Sequence, residues 1–293
     1  MNMPDIHAAV LVEINKPLKI VNLFPRKLEF GQVLVKIIYS GICRSQLMEV
    51  QGARGDDRWL PHMLGHEGSG IVESIGPGVT KVNVGDEVIL SWISGEGIEA
   101  EGAKYDSEIA VINSGQVTTF SNYSVVSENK LTIKPDSLDF DTAILFGCAL
   151  PTGSGMVMNE LDVMHDSSIA ILGLGGIGIS AVAMLLSMKV KNIVAIDISQ
   201  AKLELLKAWG VKNIIDAKNK NIKKEVNKIY PDGVDFCIES AGKVETIEMG
   251  FSLIKNNGGK VLFASHPPKG ELIRLDPHQL ISGKKIYSYK MGS

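Results

Sequence analysis

The stretch IAILGLGGIGISAVAMLLSM, residues 169–188, decides how the second half of the chain folds. An apolar run leads into GLGGIG at 173–178, and a second apolar run follows. Residues 167–188 carry no charge and are long enough to cross a bilayer. Gly173, Gly175, Gly176 and Gly178 nevertheless interrupt them directly after IAIL, and a membrane-spanning helix seldom carries so dense a glycine cluster. The pattern reads as strand, tight turn and buried helix.

G-x-G-x-x-G in that position lets the backbone come close to a pyrophosphate and leaves a helix N-terminus free to bind it. Alone the pattern is weak, because such turns also serve simply to pack a helix on a strand. Here Asp197 ends the next strand, NIVAID, 19 positions beyond Gly178, where an acid hydrogen-bonds an adenosine ribose. An acid there repels a 2′-phosphate, so NAD is favoured over NADP. The candidate cofactor-binding residues are Gly173, Gly175, Gly176, Ile177, Gly178 and Asp197. Lys202, one turn into the following helix, is either a supplement to the ribose contacts or a solvated surface lysine.

Working outward, NIIDA (213–217), VDFCIES (234–240) and KVLFAS (260–265) continue the strand series, and KIYSYKM (285–291) is a weaker sixth member. Helical stretches lie between most of them, such as SQAKLELLKAWG, whose Leu203, Leu206 and Trp209 share one face. Such alternation predicts a parallel sheet with helices on both faces from about residue 155. Residues 7–134 have a different grammar. AAVLVEI, QVLVKIIYSGI, GSGIVESIG, GDEVIL and NYSVV are short β-type runs separated by turn signals, which suits a compact barrel-like β domain. Residues 91–119 have weak periodicity and read as a surface excursion.

The 293 residues carry 30 Lys+Arg against 33 Asp+Glu, with 45% hydrophobic residues. A soluble globular protein of two domains is expected, and the slight acidity argues against a nucleic-acid partner. Cys43, Cys148 and Cys237 are too few and too scattered for a disulfide framework. The N-terminus has no signal-peptide pattern, so a cytoplasmic setting is expected, without a membrane partner. Cys237 reads as a buried strand residue; His62, close to the GHE segment, could line a substrate cleft but reads more simply as a surface histidine, while His266 lies in a loop at the cofactor end of the sheet.

GICRS (41–45), LGHEGSG (64–70) and GCALPTG (147–153) bring one Cys, one His with an acid beside it, and a second Cys. Two thiolates, an imidazole and an open position form a known catalytic zinc set. Two small buried cysteines and an ordinary histidine are the alternative. Separations of 23 and 82 positions match no local zinc motif.

GICRS, GHEGSGIVESIGPGVTKVNVGDEV, GCALPTG, GLGGIG and VDFCIES together resemble the zinc-dependent alcohol dehydrogenases of the medium-chain dehydrogenase/reductase family, over essentially the whole chain. The resemblance implies an α/β protein with two parts. Residues 1–154 would be a GroES-like β-barrel catalytic domain, and residues 155–293 a Rossmann domain with a doubly wound parallel sheet. It implies Cys43, His66 and Cys148 as metal ligands, Glu67 as an acid near the metal, and Ser45 as the group that takes the substrate's proton. Arg44 would reach the cofactor pyrophosphate and Thr152 the nicotinamide. The reaction implied is hydride transfer between NAD and a primary or secondary alcohol, or the reverse from an aldehyde or ketone. A homo-oligomer, dimer or tetramer, is expected from the same resemblance.

This chain departs from the pattern in three places. Many relatives hold a second, structural zinc with four cysteines after the GD segment; residues 91–111 have none, so one zinc per chain and a looser lobe are expected. Gln46 stands where a carboxylate commonly orients the zinc histidine, and Met48 where several relatives have a proton-relaying histidine. Relatives also continue beyond the last strand with a segment that returns to the catalytic domain, which the first domain here is expected to lack. Three rival readings follow: a non-catalytic or truncated dinucleotide-binding protein, a polyol dehydrogenase, and a zinc-free reductase on the same fold.

Overall fold

A computed structural model describes residues 4–218 and 221–289. The chain divides into two compact units, the first running to Cys148 and the second starting at Ala149. The change in sequence pattern suggested 154/155. Helix Ala149–Gly155 packs against helix Gly176–Ser187 of the second unit, with Gly153 close to Ser180 and Ala181.

The first unit is built from ten strands: β1 (Ile6–Leu11), β2 (Lys19–Pro25), β3 (Gln32–Ser40), β4 (His62–Met63), β5 (Glu67–Ile75), β6 (Glu87–Ser91), β7 (Lys104–Asp106), β8 (Ile112–Asn113), β9 (Tyr123–Ser127) and β10 (Leu131–Ile133). They form a closed barrel in the order β1-β2-β7-β8-β4 and a five-stranded sheet in the order β10-β6-β5-β3-β9. The alternation of side chains along a strand explains how one sequence serves two cores. Leu34 of β3 and Val125 of β9 enter a cluster with Ile6, Val10 and Tyr105. Their neighbours Val33, Val35 and Val126 face the other way, onto Val72, Val88 and Leu90.

Residues 91–119 are not the surface excursion expected of them. Strands β7 and β8 close the barrel, and Tyr105 and Ile112 are fully buried in its core. The Tyr105 hydroxyl oxygen accepts the Val125 N–H at 2.7 Å, and burial raises the phenol to about 12. The lobe is also anchored rather than loose. Glu128, fully buried, accepts the N–H groups of Thr80 (2.6 Å), Lys81 (2.7 Å) and Ile98 (2.7 Å). Lys130 donates to the Trp92 carbonyl at 3.0 Å and to Ser94 Oγ at 2.7 Å.

The second unit carries one six-stranded parallel sheet of β11 (Ser168–Leu172), β12 (Asn192–Asp197), β13 (Asn213–Asp216), β14 (Phe236–Glu239), β15 (Lys260–Phe263) and β16 (Lys285–Ser288), in the order β13-β12-β11-β14-β15-β16. The last two residues of the predicted run 285–291 lie outside the described residues. Both faces of the sheet are covered, which is why its strands read as continuous apolar runs. Ile169, Ile171, Ile193 and Ala195 face one core, and Ala170, Leu172, Val194 and Ile196 the other. Leu203 and Leu206 are buried, but Trp209 lies past the end of helix Gln200–Ala208 and is 43% exposed. Among the described residues, no helix is long and apolar enough to cross a membrane. Residues 167–188 are instead a strand and a helix of 12 residues.

Burial pushes the Glu128 carboxyl up, but the three N–H donors outweigh it and hold the group below the usual carboxylate value. A depressed value in the folded state means stability that is full above the unfolded pKa of about 4.3 and lost as pH falls through the folded one. Glu128→Gln keeps one acceptor oxygen for three donors and is expected to cost about 1–3 kcal/mol in denaturant unfolding near neutral pH. The gap to the native chain should narrow on acidification below about pH 4. A loss under about 0.5 kcal/mol with the same acid profile would count against this anchor.

Candidate metal centre

Strand register brings the three candidate ligands together within the first unit. Ser40, at the end of β3, pairs with Gly68, and the GIC segment follows directly. His66 immediately precedes β5, where Glu67 pairs with Ser91 of β6. Ser91 Oγ then donates to the Gly147 carbonyl at 2.8 Å, fixing the residue before Cys148. Gly147 has no room for a side chain, since a Cβ there would lie 2.6 Å from the Leu90 carbonyl oxygen and 2.7 Å from Glu67 Cβ.

The result is a cluster of Cys43 Sγ, His66 and Cys148 Sγ whose donor atoms all lie within 4.8 Å of one another. The cluster is half-buried at Cys43 and His66 and buried at Cys148. The Cys43 thiol is held far below its usual value. The main cause is a hydrogen bond from the Cys148 thiol; burial opposes it, and His66 and Ser45 add to it. Cys148 is pushed up, first as the donor to Cys43, then by burial and by the Cys43 and Glu67 charges. His66 Nε2 is buried and has no hydrogen-bond partner. A soft donor set of two sulfurs and an imidazole nitrogen with no protein partner suits zinc.

The other predicted residues fall around this cluster or in the second unit. Ser45 Oγ lies 3.5 Å from His66 Nδ1, at the limit of hydrogen bonding. Glu67 is 7% exposed, behind the ligands in β5. Arg44 is exposed at the start of helix Arg44–Val50, and Met48 is buried in the same helix. Gln46 is buried, with its amide against His66 Nδ1. Thr152 is buried in helix Ala149–Gly155.

In the second unit, GLGGIG joins β11 to helix Gly176–Ser187 as expected. Gly178 packs against the Gly173 carbonyl, with Ser240 Oγ 2.7 Å from where its Cβ would be, so only glycine fits. At Gly175 an added Cβ would meet no atom within 4 Å. Ile177 is half-buried in the same helix, and Lys202 half-buried in the next one. Asp197, 9% exposed, accepts the Leu174 N–H at 2.6 Å and the Ser199 N–H at 2.7 Å. It thus pins the glycine turn as well as ending its strand.

One feature escaped the sequence. His62 is not a surface histidine: Nε2 lies 2.7 Å from Asp57 Oδ2 and Nδ1 2.8 Å from the Met63 carbonyl. Both groups line a cavity of about 720 Å³ in the first unit, whose wall also includes Gln46, His66 and Lys104. Asp57 and His62 are five positions apart in an irregular segment, where no periodicity signals that they meet.

Residues 29–136 match the family described as alcohol dehydrogenase GroES-like domain, and residues 176–293 the family described as zinc-binding dehydrogenase. An S-(hydroxymethyl)glutathione dehydrogenase of Synechocystis is 32% identical, the match covering 95% of this chain and 82% of that protein. The class-3 alcohol dehydrogenase of Dictyostelium discoideum is 29% identical, covering 94% and 81%. The crystal structure of benzyl alcohol dehydrogenase from Acinetobacter calcoaceticus superposes with a TM-score of 0.85 at 28% identity, over 98% of this chain and 84% of that one. On its barrel, its parallel sheet, its Cys-His-Cys cluster and these matches, the chain belongs to the zinc-dependent alcohol dehydrogenases of the medium-chain dehydrogenase/reductase family and is an alcohol oxidoreductase.

Proposed function

We propose that the protein transfers a hydride between NAD and a primary or secondary alcohol, or the corresponding aldehyde or ketone, with one zinc ion per chain. The observation that carries this reading is the convergence of Cys43, His66 and Cys148 within 4.8 Å. Zinc, when bound, supplies Lewis acidity toward a substrate oxygen, and NAD a hydride acceptor.

The chain's own residues hold and move the proton. Ser45, beside the cluster, takes the proton of the substrate hydroxyl on Oγ and passes its own onward. Met48 has no exchangeable proton, so no proton leaves through that position. Glu67, buried behind the ligands, supplies negative charge toward the metal. Arg44 offers its guanidinium to the cofactor phosphates, and Thr152 its hydroxyl near the nicotinamide. The amides of Gly173, Gly175, Gly176, Ile177 and Gly178 bind the pyrophosphate. Asp197 has acceptor capacity left after its two N–H bonds, enough for a ribose hydroxyl, and Lys202 supplements it.

Support for a single zinc is chemical. All three cysteines lie outside residues 91–119, and the Glu128 carboxylate already organises the lobe that a structural zinc would hold. β16 is the edge of its sheet, with Tyr287 45% exposed, which suits pairing between copies in a dimer or tetramer. Scattered cysteines with no disulfide among the described residues suit a cytoplasmic setting.

Elemental analysis of chelator-washed protein is expected to give about one zinc per chain, and Cys43→Ser to lose both the metal and alcohol oxidation. Equal turnover by the variant, or no metal on the native chain, would overturn zinc catalysis at this cluster. Asp197→Ala is expected to raise KM for NAD roughly ten-fold or more, to narrow the discrimination against NADP, and to leave the zinc content unchanged. An unaltered cofactor KM would remove Asp197 from the ribose site.

A further inference from the structure

The hydrogen bonds around Gln46 fix which way its amide points. The Cys43 backbone N–H donates to Gln46 Oε1 at 3.1 Å. The other end of the amide, Nε2, therefore faces His66 Nδ1. Turning the amide over would set its NH₂ against the Cys43 N–H, donor against donor. An NH₂ group can only donate, so Nδ1 accepts and the ring proton of a neutral His66 sits on Nε2. That is the nitrogen left open to a metal, buried and without a hydrogen-bond partner.

From this we infer that Gln46 is a positioning residue that holds His66 in the tautomer opposed to zinc binding, so that loading the metal requires its amide to invert. The inference rests on the reading of Cys43, His66 and Cys148 as a zinc site. When a metal takes Nε2, the Nε2 proton goes to solvent and Nδ1 gains one. Nδ1–H then meets the Gln46 NH₂ until the amide rotates and offers Oε1. Rotation gives up the Cys43 N–H bond, because it carries Oε1 away from that N–H to the ring and sets the NH₂ against the N–H in its place. Ser45 Oγ, 3.5 Å from Nδ1 and at the limit of hydrogen bonding, is a weaker acceptor for Nδ1–H than a rotated Oε1. A carboxylate at position 46 has two acceptor oxygens and would take Cys43 N–H and Nδ1–H together. The zinc of this chain is accordingly held more weakly, and exchanged more readily, than a carboxylate in the same place would allow.

Two measurements on the full-length chain test this. Competition with a chromophoric chelator is expected to show zinc bound ten-fold or more tightly by Gln46→Glu than by the native protein. Added negative charge alone would also tighten binding, so the second readout is the tautomer itself. Long-range proton–nitrogen NMR of the metal-free chains, recorded above the ordinary imidazole pKa of about 6.5, should show His66 as Nε2–H in the native protein and Nδ1–H in the variant. Nδ1–H in the native protein overturns the inference, as does zinc affinity in the folded variant that is equal or lower. If the variant does not fold, the native tautomer decides the question. Zinc retained by neither chain overturns the metal reading beneath it, an outcome distinct from a wrong tautomer, which is read without metal.

Discussion

The register of three strands, β3, β5 and β6, is the constraint on which the first unit's chemistry depends. Pairing of Ser40 with Gly68 and of Glu67 with Ser91 fixes where the GIC and GHE segments leave the sheet. The Ser91 hydroxyl carries the same register on to Gly147 and so to Cys148. A slip of one residue would turn Glu67 and its neighbours to the opposite face and separate the three donors. The β3–β5 ladder also shifts register between Ile37 and Tyr39, just before the site. Irregularities of this kind commonly re-aim a strand end next to functional residues. Valines at 33, 35, 72 and 88 hold the register from below, because their burial is lost if the pairing moves.

Local chemistry was legible in the sequence; chemistry assembled by register was not. The glycine turn and Asp197 form a motif within one strand–helix–strand unit, and the hydrogen bond from Leu174 to Asp197 closes that unit on itself. Cys43, His66 and Cys148 stand 23 and 82 positions apart, distances that mean nothing until three strands pair. Only resemblance to a family could group them. Residues 91–119 misled for another reason. In that lobe Ala103, Tyr105 and Ile112 pack into one core and Val117 into the other, too irregularly spaced to produce a period. What anchors the lobe is a glutamate outside it, which composition would assign to the surface.

Asp197 is a fold residue whose carboxylate is also, on the proposed reading, a binding group for the cofactor ribose. Its two oxygens already accept the N–H of Leu174, in the glycine turn, and of Ser199, just past the end of its own strand, so the carboxylate ties the turn to β12 without any ligand. The positive end of helix Gly176–Ser187 and the space beside Gly175 are thereby pre-arranged. Binding then costs little reorganisation in this part of the site.

The same acceptor arithmetic runs through the whole molecule. Where several donors converge on one buried side chain, a carboxylate receives them. Glu128 takes three N–H groups, Asp197 takes two, and Oε1 of Glu239 takes the N–H of Ala241 and Gly242 and the Thr246 hydroxyl. At Glu128 and Glu239 one oxygen serves more than one donor, and each of the three carboxylates serves a static structure. Gln46 stands between the Cys43 N–H and the His66 ring with a single acceptor oxygen. That oxygen faces the Cys43 N–H, which suits an accepting Nδ1 but sets the NH₂ against Nδ1 once Nδ1 carries a proton. The amide therefore fits one state of the cluster and opposes the other, whereas a carboxylate would serve the metal-loaded state without rearrangement.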